Sequence, residues 1–206
     1  MFYAMALGRR DDVTAPSRVK PGAAMTPDPR LRRKTIALVG LMGVGKSSIG
    51  RRLALALDLP FRDADTEVES AAGRTISEIF ETFGEQAFRE GERKVIGRLM
   101  DDGPHVLATG GGAFVNDETR DLIKDRAISI WLKADLDLLV RRIGRKDTRP
   151  LIRGKDPLEV LTALAETRYP IYAQADILVE TGDTPHHEAV DAILAALKTY
   201  LAGAEA

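Results

Sequence analysis

The chain contains no cysteine, and this absence excludes several kinds of chemistry at once. Without thiols there are no disulfide bonds, no thiolate nucleophile and no zinc–thiolate site. A chain without disulfides is compatible with the reducing cytoplasm, which is where we expect this protein to act.

Long apolar runs and a strong excess of one charge are also missing. No stretch approaches the roughly 20 apolar residues that a membrane-spanning helix needs. The 30 lysines and arginines nearly balance the 31 aspartates and glutamates, so the formal net charge is -1. This balance does not indicate a nucleic-acid-binding protein. We therefore expect no membrane and no nucleic acid among the partners, and we expect a monomer that acts on small molecules.

The first 33 residues differ from the rest of the chain. They show little hydrophobic periodicity, and prolines occur at positions 16, 21, 27 and 29. Such a segment buries too little apolar surface to order itself, so we expect a disordered extension over residues 1–33. A targeting peptide is disfavoured because acidic residues are present and an apolar core is missing. Residues 34–206 have the size of one compact domain.

From Thr35 onward, short apolar strands alternate with amphipathic helices. This alternation predicts an α/β sandwich in which helices cover a mostly parallel sheet. The predicted strands are residues 35–39, 60–63, 106–108, 127–132 and 177–179. The main predicted helices are residues 47–57, 85–100, 135–143 and 188–201, and two more begin near residues 75 and 156.

Two of these helices have marked starts. Thr75 and Glu78 have the spacing of a capping box, in which each side chain bonds to the backbone of the other residue. Asp156 followed by Pro157 is typical of a cap with proline at the first helical position. The buried stripe predicted for the first of these helices is Ile76, Ile79, Phe80 and Phe83.

The first predicted strand leads into Gly-Leu-Met-Gly-Val-Gly-Lys-Ser at residues 40–47. This is the pattern of a phosphate-binding loop (P-loop), and a position between strand and helix is the context it requires. Glycines let closely spaced backbone N–H groups meet phosphate oxygens, and the helix N-terminus adds a favourable field. We expect Lys46 to reach the β- and γ-phosphates and Ser47 to bind Mg²⁺. A dinucleotide-binding loop is disfavoured because the third glycine of that motif is missing.

Two aspartates, Asp63 and Asp65, end the second predicted strand. Since strand carboxyl ends face the ligand crevice of an open α/β sheet, one carboxylate is expected near a metal's water shell and the other near a substrate hydroxyl. The alternative is that Asp65 or Thr66 merely caps the next helix. A phosphatase of the haloacid dehalogenase type also uses this spacing of aspartates, but Glu67 departs from its pattern.

Arg89 and Glu92 are three residues apart on a predicted helix and so share a face. They form either a surface ion pair or a unit in which Glu92 orients Arg89 to bind a carboxylate through two hydrogen bonds. The buried stripe predicted for this helix is Phe88, Val95, Ile96 and Leu99.

Two further segments each have an ordinary and a functional interpretation. The glycines at residues 110–112 form a simple turn or let the backbone pass close to a ligand. The basic stretch that begins in the last turn of the predicted helix over residues 135–143 is a solvated face or a lid. A lid arginine would exclude water and neutralise charge on a transferred phosphoryl group. The basic residues are Arg142, Arg145, Lys146, Arg149, Arg153 and Lys155.

Taken together, these segments resemble the shikimate kinase family over about Thr35 to Leu197. The order and spacing of the motifs are similar throughout, and the P-loop alone would indicate only nucleotide binding. The motifs are Gly40–Gly50, Asp63-Ala-Asp65, Gly73-Arg-Thr-Ile-Ser-Glu-Ile-Phe80, Gly84-Glu-Gln-Ala-Phe-Arg89, Gly110-Gly-Gly112, Arg149-Pro-Leu-Ile152 and Arg168-Tyr-Pro-Ile-Tyr172.

The resemblance implies a three-layer P-loop sandwich like that of nucleoside monophosphate kinases, with a five-stranded parallel sheet in the order 2-3-1-4-5. It implies transfer of the γ-phosphoryl group of ATP to the 3-hydroxyl of shikimate, with Mg²⁺, in the biosynthesis of chorismate and aromatic amino acids. It also implies a lid at about residues 144–155.

Residue roles follow from the same resemblance. Shikimate binding is expected at Asp65, Arg89, Gly111 and Arg168, and catalysis at Lys46, Asp65 and Arg149. Binding of ATP and its metal is expected at Gly43, Val44, Gly45, Lys46, Ser47, Ser48, Arg142 and Arg149, with Ser47 bound to Mg²⁺ and Asp63 in its outer shell. The sequence departs from the family pattern on the side of the adenine. Many members carry a basic residue in the loop after the last strand, but here that loop, residues 180–185, contains none.

Two alternative functions are compatible with part of these motifs. One is another small-molecule P-loop kinase, acting on gluconate or on a nucleoside monophosphate. The other is a nucleotide-binding module without turnover, against which the intact Lys46, Ser47 and Asp65 argue. The combined motifs favour shikimate.

Overall fold

The computed structural model describes residues 28–143 and 156–203. The strands are β1 (Thr35–Val39), β2 (Phe61–Asp63), β3 (Val106–Ala108), β4 (Ala127–Lys133) and β5 (Ile177–Glu180). The helices are α1 (Lys46–Leu57), α2 (Ala64–Ala72), α3 (Ile76–Asp101), α4 (Asp117–Arg126), α5 (Leu136–Ile143), α6 (Pro157–Tyr172) and α7 (His186–Gly203). Short 3-10 turns cover Leu31–Arg33 and Ala113–Val115.

The sheet is parallel, with the strand order β2-β3-β1-β4-β5, which confirms the predicted topology. Every residue of the central strand β1 is buried, as expected for a parallel sheet with helices on both faces. The helices pack in pairs, α1 on α7 and α5 on α6. Because the strands are parallel, their carboxyl ends share one edge, which is where ligands bind in such sheets.

The predicted helix starts are present. The Thr75 backbone N–H donates to Glu78 Oε2 at 2.7 Å, and the Glu78 N–H donates back to Thr75 Oγ1 at 3.2 Å. Asp156 accepts from the Leu158 N–H at 2.8 Å, with Pro157 at the first helical position. Helix α4 was not predicted from the sequence.

Helix α3 is broken at Gly84, whose φ of 80° and ψ of 173° are not helical. The prediction that Phe83 belongs to the buried stripe is wrong, because its side chain is 57% exposed. After the break, Phe88 packs on Phe80 with ring centroids 4.8 Å apart, while Phe83 lies near the Arg74 guanidinium instead.

The start of the described chain packs on the domain. Leu31 is only 3% exposed and belongs to the hydrophobic core. Arg30 pairs with Asp28 at 2.6 Å and donates to the Leu201 carbonyl of α7 at 3.5 Å. The boundary predicted between residues 33 and 34 therefore falls just after a packed turn. The disorder expected for residues 1–27 and the lid expected at residues 144–155 lie outside the described residues.

None of the helices in the described part of the chain has the length and apolar character needed to cross a membrane.

Candidate active site

The P-loop connects β1 to α1 through a backbone that only glycine accommodates easily. Gly40, Gly43 and Gly45 all have positive φ angles, of 138°, 82° and 98°. A Cβ atom on Gly40 would lie 2.4 Å from the Leu132 carbonyl oxygen of β4, so the loop starts in direct contact with the sheet. The first turn of α1 carries no acidic residue. The loop and the helix N-terminus therefore present N–H groups and a positive field to an anion.

Lys46 lies over this loop. Its Nζ donates to the Gly40 carbonyl at 2.9 Å and to the Leu41 carbonyl at 3.1 Å. Ser47 follows in the first turn of α1. These positions place an ammonium group and a hydroxyl at the predicted phosphate site.

The two aspartates have different local roles. Asp63, the last residue of β2, caps α2 by accepting from the Asp65 N–H at 3.2 Å. The alternative that Asp65 or Thr66 caps this helix is therefore wrong. The Asp65 side chain instead faces the glycine run, because a Cβ atom on Gly110 would lie 2.9 Å from Asp65 Oδ1.

The residues predicted to hold Mg²⁺ are chemically suited to it. Ser47 and Asp63 offer the oxygen ligands that this ion prefers. In the described part of the chain, no three or more His, Cys, Asp or Glu side chains form a group able to hold a metal. Proteins often bind Mg²⁺ through one or two side chains together with substrate phosphates and water, and Ser47 and Asp63 could supply that protein part.

Arg89 and Glu92 form the predicted ion pair, and it is not a surface pair. Arg89 Nη1 lies 2.7 Å from Glu92 Oε2, and the Glu92 side chain is only 2% exposed. Arg89 Nη2 also donates to Glu85 at 3.1 Å. Burial raises the pKa of Glu92, and the charges of Arg89 and Arg168 oppose that shift. The ion pair therefore offsets part of the cost of burying Glu92, and it holds Arg89 in one orientation.

The glycine run turns at residues 111–112 and passes between these charged groups. A Cβ atom on Gly110 would lie 2.2 Å from Glu92 Oε1, and one on Gly112 would lie 2.5 Å from Arg89 Nη2. From α6, Arg168 Nη1 donates to the Gly111 carbonyl at 2.8 Å. Any side chain at positions 110 or 112 would displace the charged groups.

The predicted substrate residues therefore converge. Asp65 comes from α2, Arg89 from α3 and Arg168 from α6, and all three approach the glycine run. Gly111 is also next to the P-loop, because a Cβ atom there would lie 3.6 Å from the Met42 nitrogen. The predicted substrate residues thus lie beside the predicted phosphate loop.

On the other side of the P-loop, Arg142 of α5 reaches the loop after β5. Its Nη2 donates to the Gly182 carbonyl at 2.8 Å. A basic group therefore approaches this loop from another element, although residues 180–185 contain none. No role was predicted for His186, at the start of α7, whose pKa is lowered by burial and by the charges of Arg52 and Arg142. Arg149 lies outside the described residues.

Tyr172 was also missed as a site residue. It is fully buried, and its hydroxyl donates to the Gly111 carbonyl. The available signal was its spacing of one helical turn from Arg168, which places the two side chains on one face of α6.

Comparisons with known proteins agree with this geometry. The family model described as shikimate kinase matches residues 42–198. A shikimate kinase of Caulobacter vibrioides is 72% identical over 168 residues, which cover 82% of this chain and 84% of the relative. A shikimate kinase of Rhodopseudomonas palustris is 54% identical over 171 residues, which cover 83% and 84%.

A solved structure, described as shikimate kinase from Acinetobacter baumannii in complex with shikimate, superposes with a TM-score of 0.80 at 35% identity. The match covers 84% of this chain and 98% of that chain. The residues matched by the family model include Lys46, both aspartates and both arginines of the site. The chain belongs to the shikimate kinase family.

Proposed function

We propose that this chain transfers the γ-phosphoryl group of ATP to the 3-hydroxyl of shikimate, yielding shikimate 3-phosphate and ADP, in the biosynthesis of aromatic amino acids. The observation that carries this proposal is the approach of Arg89, Arg168 and Asp65 to one glycine run beside the P-loop. Shikimate has one carboxylate, which suits two arginines, and hydroxyl groups, which suit an aspartate.

Arginines from two helices, α3 and α6, bind the acceptor and orient it for reaction. Arg89, oriented by Glu92, and Arg168, oriented by Gly111, each present a planar guanidinium to the carboxylate. Fixing the carboxylate in this way leaves the ring hydroxyls directed towards Asp65 and the P-loop. Orientation of this kind supplies much of the rate of phosphoryl transfer, since the protein forms no covalent bond itself.

In the reaction, the 3-hydroxyl oxygen bonds to the γ-phosphorus while the bond from that phosphorus to the β–γ bridging oxygen breaks. Asp65 accepts the hydroxyl proton, and ADP leaves with the electron pair. Lys46 stabilises the charge on the transferred group. In the resting loop, its Nζ is held close by the Gly40 and Leu41 carbonyls.

Ser47 and Asp63 would hold Mg²⁺, Ser47 directly and Asp63 through water. The ion, when bound, neutralises charge on the β- and γ-phosphates. The carboxylate of Asp63 stays in place because it also caps α2.

The nucleotide side involves the backbone of Gly43, Val44 and Gly45, together with Ser48 and Arg142. Arg149 is proposed as a lid arginine that closes over the phosphates. We further propose that the protein acts as a monomer in the cytoplasm, with residues 34–206 forming one kinase domain.

Release of ADP by the purified full chain tests the proposed reaction. With ATP and Mg²⁺, we expect ADP to form when shikimate is added, and not with gluconate, AMP or no acceptor. ADP release that depends on gluconate or AMP would favour another small-molecule kinase. No release with any acceptor would favour a binding module without turnover.

A further inference from the structure

One carbonyl at the centre of the acceptor site is held by two side chains of α6. The Gly111 carbonyl accepts from Arg168 Nη1 at 2.8 Å and from the Tyr172 hydroxyl, which is 61 residues away along the chain. Burial raises the pKa of Tyr172, so its phenol stays protonated and remains a donor.

The neighbouring carbonyls are held differently. Gly110 accepts from the Ala113 N–H at 3.2 Å, and Gly112 accepts from the Val115 N–H at 3.1 Å. These are local backbone bonds of the 3-10 turn. Within the glycine run, the direction of the Gly111 carbonyl is therefore set by α6, through Arg168 and Tyr172.

The Tyr172 ring is well anchored for such a role. Its relative exposure is 0%, and its ring centroid lies 6.0 Å from that of Trp131 on β4. Tyr172 thus links the sheet to the glycine run through a rigid aromatic ring. Arg168, by contrast, is only partly buried and has a long, rotatable side chain.

We propose that Tyr172 is a positioning residue for the acceptor: by fixing the Gly111 carbonyl, its hydroxyl fixes the direction of the Arg168 guanidinium. One N–H of the Arg168 guanidinium donates to this carbonyl, which leaves its other N–H groups for a carboxylate. If the Gly111 carbonyl changes direction, the Arg168 guanidinium turns with it, and the carboxylate can no longer accept two hydrogen bonds from it. The identification of that carboxylate as shikimate depends on the proposed function.

The variant Tyr172→Phe tests this because it removes only the hydroxyl. The matched control is Tyr169→Phe on the same helix. The Tyr169 ring also packs on Trp131, at 5.2 Å, and within residues 28–143 and 156–203 no hydrogen bond of its hydroxyl is found. We expect Tyr172→Phe to raise the KM for shikimate about three- to ten-fold, the usual effect of one lost hydrogen bond. The kcat, the KM for ATP and the melting temperature should stay near wild type, and the control should change none of these values.

A double-mutant cycle with Arg168→Lys separates positioning from a merely structural effect. If Tyr172 acts through Arg168, Tyr172→Phe should change shikimate affinity little once residue 168 is lysine. Calorimetry gives these affinities, and the fluorescence of Trp131, the one tryptophan of the chain, gives a second readout beside the site.

Three results would overturn the proposal. The first is an unchanged KM for shikimate in Tyr172→Phe. The second is an equal rise in the KM values for shikimate and ATP together with a lowered melting temperature. The third is additive effects of Tyr172→Phe and Arg168→Lys on shikimate affinity. A wild-type protein that releases no ADP with shikimate would instead contradict the proposed function. An active wild type with an unaffected Tyr172→Phe would contradict only the role of Tyr172.

Discussion

Arg89 Nη1 and Glu92 Oε2 lie 2.7 Å apart on one face of α3, and the glutamate is almost fully buried. Pairing offsets part of the desolvation cost of a buried carboxylate. The same pair holds the Arg89 guanidinium directly against Gly112.

Substitution of Glu92 tests whether it orients Arg89. Glu92→Gln keeps the side chain's size but removes the charge that orients Arg89, so the KM for shikimate should rise about ten- to a hundred-fold. Glu85→Gln is the matched control, since Glu85 also contacts Arg89 but its side chain is 55% exposed. Steady-state kinetics with both substrates measures the effect. Equal changes in the two variants would show that the buried pair has no special role.

Substitution with asparagine can separate the roles of Asp63 and Asp65. Asp63→Asn removes the charge without removing the cap of α2, because asparagine and aspartate are equally good capping residues. We expect this variant to need more Mg²⁺ for half-maximal activity at an unchanged melting temperature. Asp65→Asn should mainly raise the KM for shikimate and lower kcat. Magnesium titrations at saturating shikimate distinguish the variants, and identical defects would mean that the roles are divided wrongly.

At the edge of the sheet opposite the candidate active site, a buried histidine predicts that the stability of the fold is sensitive to acid. His105 is 2% exposed, its Nδ1 lies 2.7 Å from the Gly103 carbonyl, and burial lowers its pKa from 6.5. Above that pH both folded and unfolded states are neutral, and the residue does not affect the pH dependence. Below pH 6.5 His105 binds a proton in the unfolded chain, but its lowered pKa keeps it neutral in the folded chain. The free energy of unfolding therefore falls as the pH falls.

His105→Asn tests this, because its amide nitrogen can still donate to Gly103 but cannot titrate. Melting temperatures between pH 7.5 and 5 should fall less steeply in this variant than in wild type. His187→Asn, at an exposed position, is the control and should follow the wild-type slope. Parallel slopes in all three proteins would exclude His105 as a source of acid sensitivity.

A further prediction concerns where the folded domain begins. Leu31→Ala should lower the free energy of unfolding by at least about 2 kcal/mol, as for other buried leucines. Arg33→Ala, at an exposed position in the same turn, should change it by less than about 0.5 kcal/mol. Deletion of residues 2–27 should leave the free energy of unfolding unchanged. Denaturant unfolding of the three variants checks these values, and a large loss on deletion would mean that the segment packs on the domain.

Much of this molecule was predictable because its signals are local. The P-loop, the Thr75–Glu78 cap and the shared face of Arg89 and Glu92 all depend on residues a few positions apart. Helix α4 was missed because its sequence, Asp-Glu-Thr-Arg-Asp-Leu-Ile-Lys-Asp-Arg, has too few apolar residues for a clear periodicity.

The rest required contacts between distant parts of the chain. Tyr172 meets Gly111 across 61 residues, and no local pattern specifies that pairing. The exposure of Phe83 depends on the break at Gly84, which lets Phe88 pack on Phe80. The close approaches to Gly110 and Gly112 likewise exist only once α3 is packed against the glycine run.

The central claim, phosphoryl transfer to shikimate, is tested most directly by identifying the product. Wild-type protein with ATP, Mg²⁺ and shikimate should give a single new phosphate ester, and phosphorus and proton NMR should place it on the 3-hydroxyl with an equal amount of ADP. Lys46→Ala should form it at least about 10²-fold more slowly, as expected for loss of one preorganised charge contact. A phosphate ester at another hydroxyl, or ADP formed without any shikimate phosphate, would contradict the account.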